Sequence, residues 1–195
     1  MILSKRFLDA VEYAFYLHAG HMRKGTKTPY FSHLMGVASL VMEHGGTEDE
    51  AIAALLHDAV EDQGGQDTLD AIRALFGTKV GAIVKGCSDS FTTPKPPWKE
   101  RRVKYIKHLR NTKNASIRLV SAADKLHNAR AILVDYRQHK EKLWKRFNEG
   151  KDGQLWYYGK LAKVFKAKGP RALAVELDAV VSEIKNLVAS VPKGS

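Results

Sequence analysis

The sequence predicts one all-α domain of about nine or ten helices, and three observations support this fold class. The 195 residues are enough for a single compact domain with its own hydrophobic core. Apolar side chains recur three or four positions apart along most of the chain, which is the spacing of a helix buried on one face. The breaks between these periodic segments carry glycine or proline. We expect the domain to span residues 1–190, followed by a disordered tail over residues 191–195.

The first half of the chain predicts five helices. The apolar face of the first comprises Phe7, Val11, Ala14 and Phe15. The next four are expected over residues 33–43, 47–63, 69–76 and 79–85. The third helix begins at Thr47, because Thr47 and Glu50 have the spacing of a capping box, and it ends at the Gly64-Gly65 pair. Gly77 is the expected break between the last two helices.

The second half predicts a proline-rich loop followed by five more helices. The loop is the segment "SDSFTTPKPPW", which has three prolines in four positions and is too short to be a domain linker. The helices are expected over residues 99–110, 115–133, 137–148, 154–166 and 171–189. Pro170, preceded by Gly169, suits the first turn of the last helix.

Composition limits the class of protein. The chain carries 32 Lys and Arg against 21 Asp and Glu, a net charge of +11, which attracts polyanions such as nucleotides, nucleic acids or acidic surfaces. The basic residues are spread along the chain, so charge alone does not choose among these partners. No stretch of eighteen apolar residues is present and the first residues are interrupted by charges, so we expect a cytoplasmic protein without a membrane span. The single cysteine, Cys87, excludes an internal disulfide.

The stretch "LLHDAVEDQGG", residues 55–65, places four ionisable groups beside an apolar run. In a continuous helix His57 and Asp58 point about 100° apart, and each has a carboxylate one turn further on, Glu61 and Asp62 respectively. Burying several charges costs several kcal/mol per ion unless a partner compensates, and one histidine cannot compensate three acids. A divalent cation such as Mn²⁺, Fe²⁺ or Zn²⁺ can, since imidazole and carboxylate are suitable ligands. The alternative is a solvated pair of acids beside a surface His-Asp dipeptide.

Two further residues are candidate ligands from other helices. His33 lies in "PYFSHL" at the start of the second helix, and Asp124 lies in "SAADKLHNAR", where small residues allow close helix packing. Asn128 is one turn beyond Asp124 on the same face. His18 and His21 form the best rival ligand pair, but no carboxylate is in phase with them. We interpret the other histidines as structural or exposed, namely His18, His21, His44, His108, His127 and His139.

Three blocks of the sequence resemble one known family, the HD-domain metal-dependent phosphohydrolases of the RelA/SpoT-homologue hydrolase type. The blocks are "HAGHMRKGTKTPYFSHL", "ALLHDAVED" and "AADKLHNAR", in the family's order. The resemblance implies one Mn²⁺ per chain, held by His33, His57, Asp58 and Asp124. It also implies that Glu61 and Asp62 orient and deprotonate the attacking water. Because the family's synthetase and regulatory domains are missing here, we expect a stand-alone small alarmone hydrolase with a single HD-domain helical fold.

The reaction that the resemblance implies is hydrolysis of the 3′-pyrophosphate of (p)ppGpp or (p)ppApp, releasing pyrophosphate. Basic and polar groups must then bind the nucleotide, and the candidates are Arg23, Lys24, Asn128, Lys99, Arg102 and Tyr157. For Lys24 a solvated loop position, and for Tyr157 a buried core position, are equal alternatives. The chain departs from the family pattern at "QGG" after Asp62 and in the loop at residues 94–97, which leaves the exact nucleotide open.

Two other functions stay open on the sequence. One is an HD phosphatase that acts on another nucleotide, such as NADPH or a deoxynucleoside monophosphate. The other is a basic module that binds nucleic acid or a partner protein and keeps an idle HD site, with "KERRVKYIKHLR" as its phosphate-binding face. The Glu61-Asp62 pair favours the alarmone hydrolase, so the expected partner is a small nucleotide rather than a nucleic acid or a membrane. Oligomerisation is left open.

Overall fold

The structure is a computed structural model that describes residues 2–90 and 94–190. Over these residues it contains ten α-helices and one 3₁₀ helix, and the only β pairing is an isolated antiparallel bridge between Met22 and Pro29. The predicted all-α fold is therefore confirmed. Within the described part of the chain, no helix combines the length and the apolar character that crossing a membrane requires. The predicted tail, residues 191–195, lies outside the described residues.

The helix bounds follow the predicted order. In chain order they are α1 Lys5–Leu17, α2 Phe31–Glu43, α3 Glu48–Leu56, α4 Ala59–Asp62, α5 Gly65–Phe76, α6 Thr78–Cys87, α7 Trp98–Asn111, α8 Ala115–His139, the 3₁₀ helix Lys140–Arg146, α9 Gly150–Lys168 and α10 Arg171–Ala189. The capping box at the start of α3 is present, with the Thr47 backbone N–H donating to the Glu50 carboxylate over 2.7 Å. Gly77, at φ 94°, separates α5 from α6 as predicted.

Helix α8 is the centre of the fold. It is the longest helix, at 25 residues, and it packs against α2, α3, α6, α9 and α10. Its small residues Ser121, Ala122 and Ala123 are all buried, so the neighbouring helices approach its backbone closely. Asp124 follows them on the buried side. The packing of α2 and α3 against α8 brings the candidate ligands of three helices together.

The predicted third helix is interrupted, which corrects the expectation of one continuous helix from Thr47. Helix α3 ends at Leu56, and α4 is a single turn that begins at Ala59. Between them the His57 imidazole Nδ1 donates to the Ala54 carbonyl over 2.8 Å, taking up an acceptor near the helix end. The ends of the His57 and Asp58 side chains meet at 2.9 Å across this interruption.

The helix predicted over residues 137–148 is also wrong. Helix α8 continues to His139, and a 3₁₀ helix follows over Lys140–Arg146. Lys140 adopts a φ of 50°, a left-handed conformation that ends an α-helix. The next helix, α9, begins at Gly150, four residues before the predicted start.

Candidate active site

The four predicted metal ligands converge on one point inside the fold. The His57 Nε2 atom lies 2.9 Å from the Asp58 carboxylate and 3.6 Å from Asp124 Oδ1. The His33 Nε2 atom lies 3.7 Å and 3.3 Å from the same two carboxylates. Atoms that share one ion at bond lengths of about 2.1 Å are about 3 to 3.5 Å apart, so these separations suit a common cation. His33, His57 and Asp58 also form a group whose ligand atoms lie within 4.8 Å of one another.

Hydrogen bonds orient both imidazoles with Nε2 towards that point. The Nδ1 of His57 faces the Ala54 carbonyl, which can only accept, so this nitrogen carries the proton and leaves Nε2 with a lone pair when the ring is neutral. The Nδ1 of His33 lies 2.9 Å from the Nδ1 of His127. Both Nε2 atoms are buried and have no hydrogen-bond partner among the described residues. Two such lone pairs facing one point are what a metal ion needs.

The two carboxylates are held by Asn128, which the sequence indicated on the face of Asp124, and by two neighbours that it did not indicate, Tyr30 and Lys125. The Tyr30 hydroxyl donates to Asp58. Asp124 accepts from the Asn128 amide over 2.5 Å and forms an ion pair with Lys125, the next residue along α8. The oxygen that accepts from Tyr30 or Asn128, Oδ2 of Asp58 and Oδ1 of Asp124, is also the one that faces the imidazoles, so the chain itself orients the cluster.

The charges of the cluster require a positive group at its centre. Burial alone would lower the pKa of His57, but the Asp58 and Asp124 carboxylates outweigh it and raise that pKa well above its ordinary value. Burial would raise the pKa of Asp58, yet His57 and His33 hold it well below its usual range. Burial would also raise the pKa of Asp124, but Lys125 and His57 hold it well below its usual range. A divalent cation would supply this positive charge and replace the His57 proton, so the residues fit a metal.

The rival histidine pair stays outside this cluster. His18 is buried and stacks on Tyr30 with ring centroids 5.2 Å apart, and burial lowers its pKa to about 4. His21 is exposed and pairs with the Gln63 amide at 2.9 Å. Among the described residues, neither belongs to a group of three potential metal ligands. The structural interpretation of both residues therefore stands.

Glu61 and Asp62, the predicted pair of catalytic acids, share one lysine. The Lys95 ammonium lies 2.9 Å from Glu61 and 3.2 Å from Asp62, and it comes from the proline-rich segment at residues 94–97. Burial raises the pKa of both acids, helped by repulsion from Asp89 and Asp58 for Glu61 and from Asp58 for Asp62, while Lys95 opposes the shift. A raised pKa near a carboxylate-rich centre is typical of a group that exchanges protons.

A cavity of about 420 Å³ opens beside the cluster. Its wall carries two acidic side chains, Asp135 and Glu149. It also carries six cationic side chains, Arg23, Lys24, Arg101, Arg102, Lys125 and Arg146. Tyr30, Lys125 and Asn128, which contact Asp58 or Asp124, are part of the same wall, so the cavity reaches the cluster of predicted ligands. The excess of cations suits a ligand with several negative charges.

Five of the six predicted substrate contacts line this cavity, and Lys99 does not. The Arg23 guanidinium donates to the Asn128 side chain over 2.9 Å, and Lys24 donates to Asn148 over 3.2 Å. Tyr157 is buried, but its hydroxyl has no partner among the described residues. The Lys99 ammonium instead lies 3.1 Å from the centroid of the Trp156 ring. The substrate roles of all six residues stay predictions.

Arg102 is held by an acid that the sequence analysis missed. The Asp89 side chain is 1% exposed and accepts from Arg102 over 2.6 Å and from Arg101. One carboxylate therefore positions two guanidinium groups on the cavity wall. The sequence signal was weak, since Asp89 stands in a polar segment between two helices. The sequence indicated Lys125 and His127 more clearly, because both lie within three residues of the predicted ligand Asp124.

Comparison with known proteins agrees with this geometry. The profile of the HD-domain family matches residues 10–154. Mouse MESH1, a guanosine-3′,5′-bis(diphosphate) 3′-pyrophosphohydrolase, is 36% identical over 130 residues, which are 65% of this chain and 69% of that protein. The protein of the same name from Xenopus tropicalis is 38% identical over 128 residues, or 64% of this chain and 68% of that protein.

Two solved structures share the fold. A metazoan orthologue of SpoT, described as hydrolysing ppGpp, has a TM-score of 0.77 and covers 94% of this chain and 98% of its own, at 24% identity. The protein lmo0812 from Listeria monocytogenes has a TM-score of 0.67 at 27% identity and covers 79% of this chain and 99% of its own. Both likenesses show the helical fold of this chain. The family match and the MESH1 relatives show that the chain belongs to the HD-domain family, and within it to the group of hydrolases that includes the MESH1 pyrophosphohydrolases.

Proposed function

We propose that the chain hydrolyses the 3′-pyrophosphate of alarmone nucleotides, (p)ppGpp or (p)ppApp, to GDP or GTP, or ADP or ATP, and pyrophosphate. The observation that carries the proposal is the position of Glu61 and Asp62. They lie one helical turn beyond His57 and Asp58, two of the predicted metal ligands, and Arg101 of the cavity wall is 3.6 Å from Glu61. The pair therefore stands where a metal cluster meets a cationic cavity. The names of the MESH1 relatives support the same reaction.

In this reaction the residues of the chain have separate roles. Water attacks the phosphorus bonded to the ribose 3′ oxygen, and that P–O bond breaks to release pyrophosphate. The water proton passes to Glu61 or Asp62 as general base, and a proton is delivered to the departing 3′ oxygen, which leaves as the ribose hydroxyl. Their pKa values are raised towards neutral pH, and a carboxylate with a higher pKa accepts a proton more readily. Lys95 holds both carboxylates in place. His33, His57, Asp58 and Asp124 would hold the cation, which polarises the phosphoryl oxygen and acidifies water when bound.

The cationic wall would bind the phosphates. Arg102 and Arg101 are fixed by Asp89, so their free N–H groups are already oriented for a phosphate. Arg23 has a buried NH1 group without a hydrogen-bond partner among the described residues, and a phosphate oxygen would supply one. Lys125 is half-buried between Asp124 and the cavity, where it stays charged because Asp124 outweighs the effect of burial and raises its pKa. Manganese as the ion, adenosine alarmones as substrates and a cytoplasmic location belong to the same proposal.

The deciding experiment is a substrate panel. Purified protein with Mn²⁺ is incubated with ppGpp, pppGpp, ppApp, NADPH and a deoxynucleoside monophosphate, and the products are separated by ion-exchange chromatography. We expect pyrophosphate and the 5′-nucleotide from the alarmones alone. Release of phosphate from NADPH or the monophosphate only would establish the other phosphatase function. No reaction with any substrate at full metal occupancy would refute the hydrolase and leave the idle, polyanion-binding module.

A further inference from the structure

Trp98 is an indole on the wall of the cavity that the proposed reaction leaves without a role. It is the first residue of α7, directly after the proline-rich segment that carries Lys95. Its side chain lines the cavity and is half-buried. Arg102, one helical turn later, lines the same wall, so the indole lies within one turn of a candidate phosphate ligand.

Contacts from α9 fix the orientation of the ring. The centroids of the Trp98 and Tyr157 rings are 5.8 Å apart in an edge-to-face arrangement, and Trp156 is 6.1 Å away. The carbon of the Arg102 guanidinium lies 5.8 Å from the indole centroid. A methyl group on Gly153 would lie 3.7 Å from the Trp98 Cη2 atom, so the helix backbone also comes close to the ring. An aromatic ring that is held this way and still faces a cavity is pre-organised for a planar ligand.

The other aromatic residues of the wall are already engaged. Tyr157 and Tyr158 are almost completely buried, and Tyr30 donates to Asp58. Phe147 is half-buried too, but it packs on Trp144 with centroids 6.2 Å apart, on the side of the wall formed after the 3₁₀ helix. Trp98 offers the larger ring, and it shares α7 with Arg101, which lies beside Glu61.

We propose that Trp98 is the stacking platform for the purine base of the nucleotide and so determines that a nucleotide, rather than inorganic polyphosphate, is the substrate. This rests on the proposed function. Stacking on an indole uses the π-face of the base and not its hydrogen-bonding edge, so it tolerates guanine and adenine alike. Trp98 therefore contributes to binding but not to the choice between the two purines, and it touches no reacting atom.

The test compares steady-state kinetics of W98A, W98F, F147A and W156A with the wild type. We expect W98A to raise KM for ppGpp and for ppApp by roughly tenfold or more, the usual loss on removing a base-stacking ring, with kcat little changed. W98F keeps a π-face and should restore most of the affinity. W156A should raise KM less than W98A does, because Trp156 supports the Trp98 ring from 6.1 Å away but does not itself line the cavity. A large KM effect in F147A with none in W98A would overturn the proposal.

A binding measurement without turnover separates the two proposals. The chain has three tryptophans, so the double variant W144F/W156F reports Trp98 alone by fluorescence. We expect GDP to quench this signal and inorganic pyrophosphate not to. If the wild type hydrolyses no alarmone but GDP still quenches Trp98, the proposed function fails and the platform stands. If ppGpp is hydrolysed while W98A leaves KM unchanged and GDP does not quench, the platform is refuted and the function stands.

Discussion

The four predicted metal ligands and the Glu61-Asp62 pair differ in how the chain holds them. Three of the ligands are at most 3% exposed, and each is oriented by a hydrogen bond from within the helical core. Glu61 and Asp62 lie nearer the surface, with side chains 16% and 38% exposed, and both depend on Lys95 from a segment outside the helices.

This difference separates two kinds of pre-organisation. The metal centre is built by helix packing, so its geometry should survive changes at the surface and fail only when a ligand or its direct partner is replaced. The acid pair is set by a long-range ion pair, so its proton affinity should respond to a single distant charge.

Removing a ligand should abolish both metal binding and turnover. In D124A the centre loses one carboxylate and Lys125 loses its partner, so we expect most of the bound metal to disappear and the rate to fall on the order of 10³-fold or more, because the ion supplies several kcal/mol of transition-state stabilisation. Metal content after dialysis and initial rates measure both. D124N, which keeps the shape of the side chain, covers the case in which D124A does not fold.

The control for this variant is D135N, since Asp135 lines the cavity but pairs with Arg146 at 2.9 Å rather than with the ligands. It should keep its metal. Full metal content and normal turnover in D124N and D124A would show that Asp124 is not a ligand.

Replacing the general base should separate chemistry from metal binding. In E61Q the side chain keeps its size but can no longer accept a proton, so we expect kcat to fall by about 10² to 10⁴-fold with the metal content unchanged. E100Q is the matched control, because Glu100 forms an exposed pair with Lys104 on α7. If E61Q loses metal, Glu61 is a ligand and its assigned role is wrong.

The partner of His33 should matter for metal affinity although it touches no metal. His127 is neutral, since burial lowers its pKa to about 4, and a His33 ring that keeps its Nε2 lone pair must donate its Nδ1 proton to it. In H127F that proton has no acceptor, and we expect metal to bind about 10 to 100 times more weakly by titration calorimetry. H139F, on an exposed histidine of the same helix, should bind metal normally.

A second variant approaches the same contact from α2. A methyl group on Gly36 would lie 2.3 Å from the His127 Nε2 atom, so G36A should displace this ring and weaken metal binding as well. Normal affinity in both G36A and H127F would mean that His33 needs no partner.

The sequence was sufficient to predict the parts of the site that lie on the buried faces of helices. His33, His57 and Asp124 fall on buried faces of α2, the α3–α4 junction and α8, and periodicity predicts such faces. The interruption at His57 was not predictable, because His57 and Asp58 keep right-handed helical backbone angles and the apolar pattern continues through Ala59 and Val60.

Side-chain partners from distant segments were the other part that the sequence did not reveal. Lys95 is 34 residues from Glu61, and nothing in "TPKPPW" indicates where its ammonium points. Trp98 and Asp89 are similar. The Trp98 ring is positioned by Tyr157 of α9, and the Asp89 carboxylate pairs with Arg102 of α7, so both contacts form only when the helices pack. Helical spacing relates residues within about one or two turns, and these contacts lie far beyond that range.

The smallest expected effect concerns Lys95, which tests the contrast between the metal centre and the Glu61-Asp62 pair. Lys95 lowers the pKa of Glu61 and Asp62, so in K95M burial and the nearby carboxylates meet less opposition and both pKa values rise. A base must be ionised to accept the water proton, and it loses activity as the pH falls below its pKa. The acidic limb of the pH–kcat profile should therefore move to higher pH, by up to about one unit.

K104M is the control for this shift, because Lys104 pairs with Glu100 on the surface of α7 and should leave the limb in place. Metal affinity should be the same in both variants, since neither lysine contacts a ligand of the cluster. An acidic limb that stays where it is in K95M, or moves to lower pH, would show that the acid pair does not depend on Lys95. The pair would then be as self-contained as the metal centre, and the contrast between the two regions would disappear.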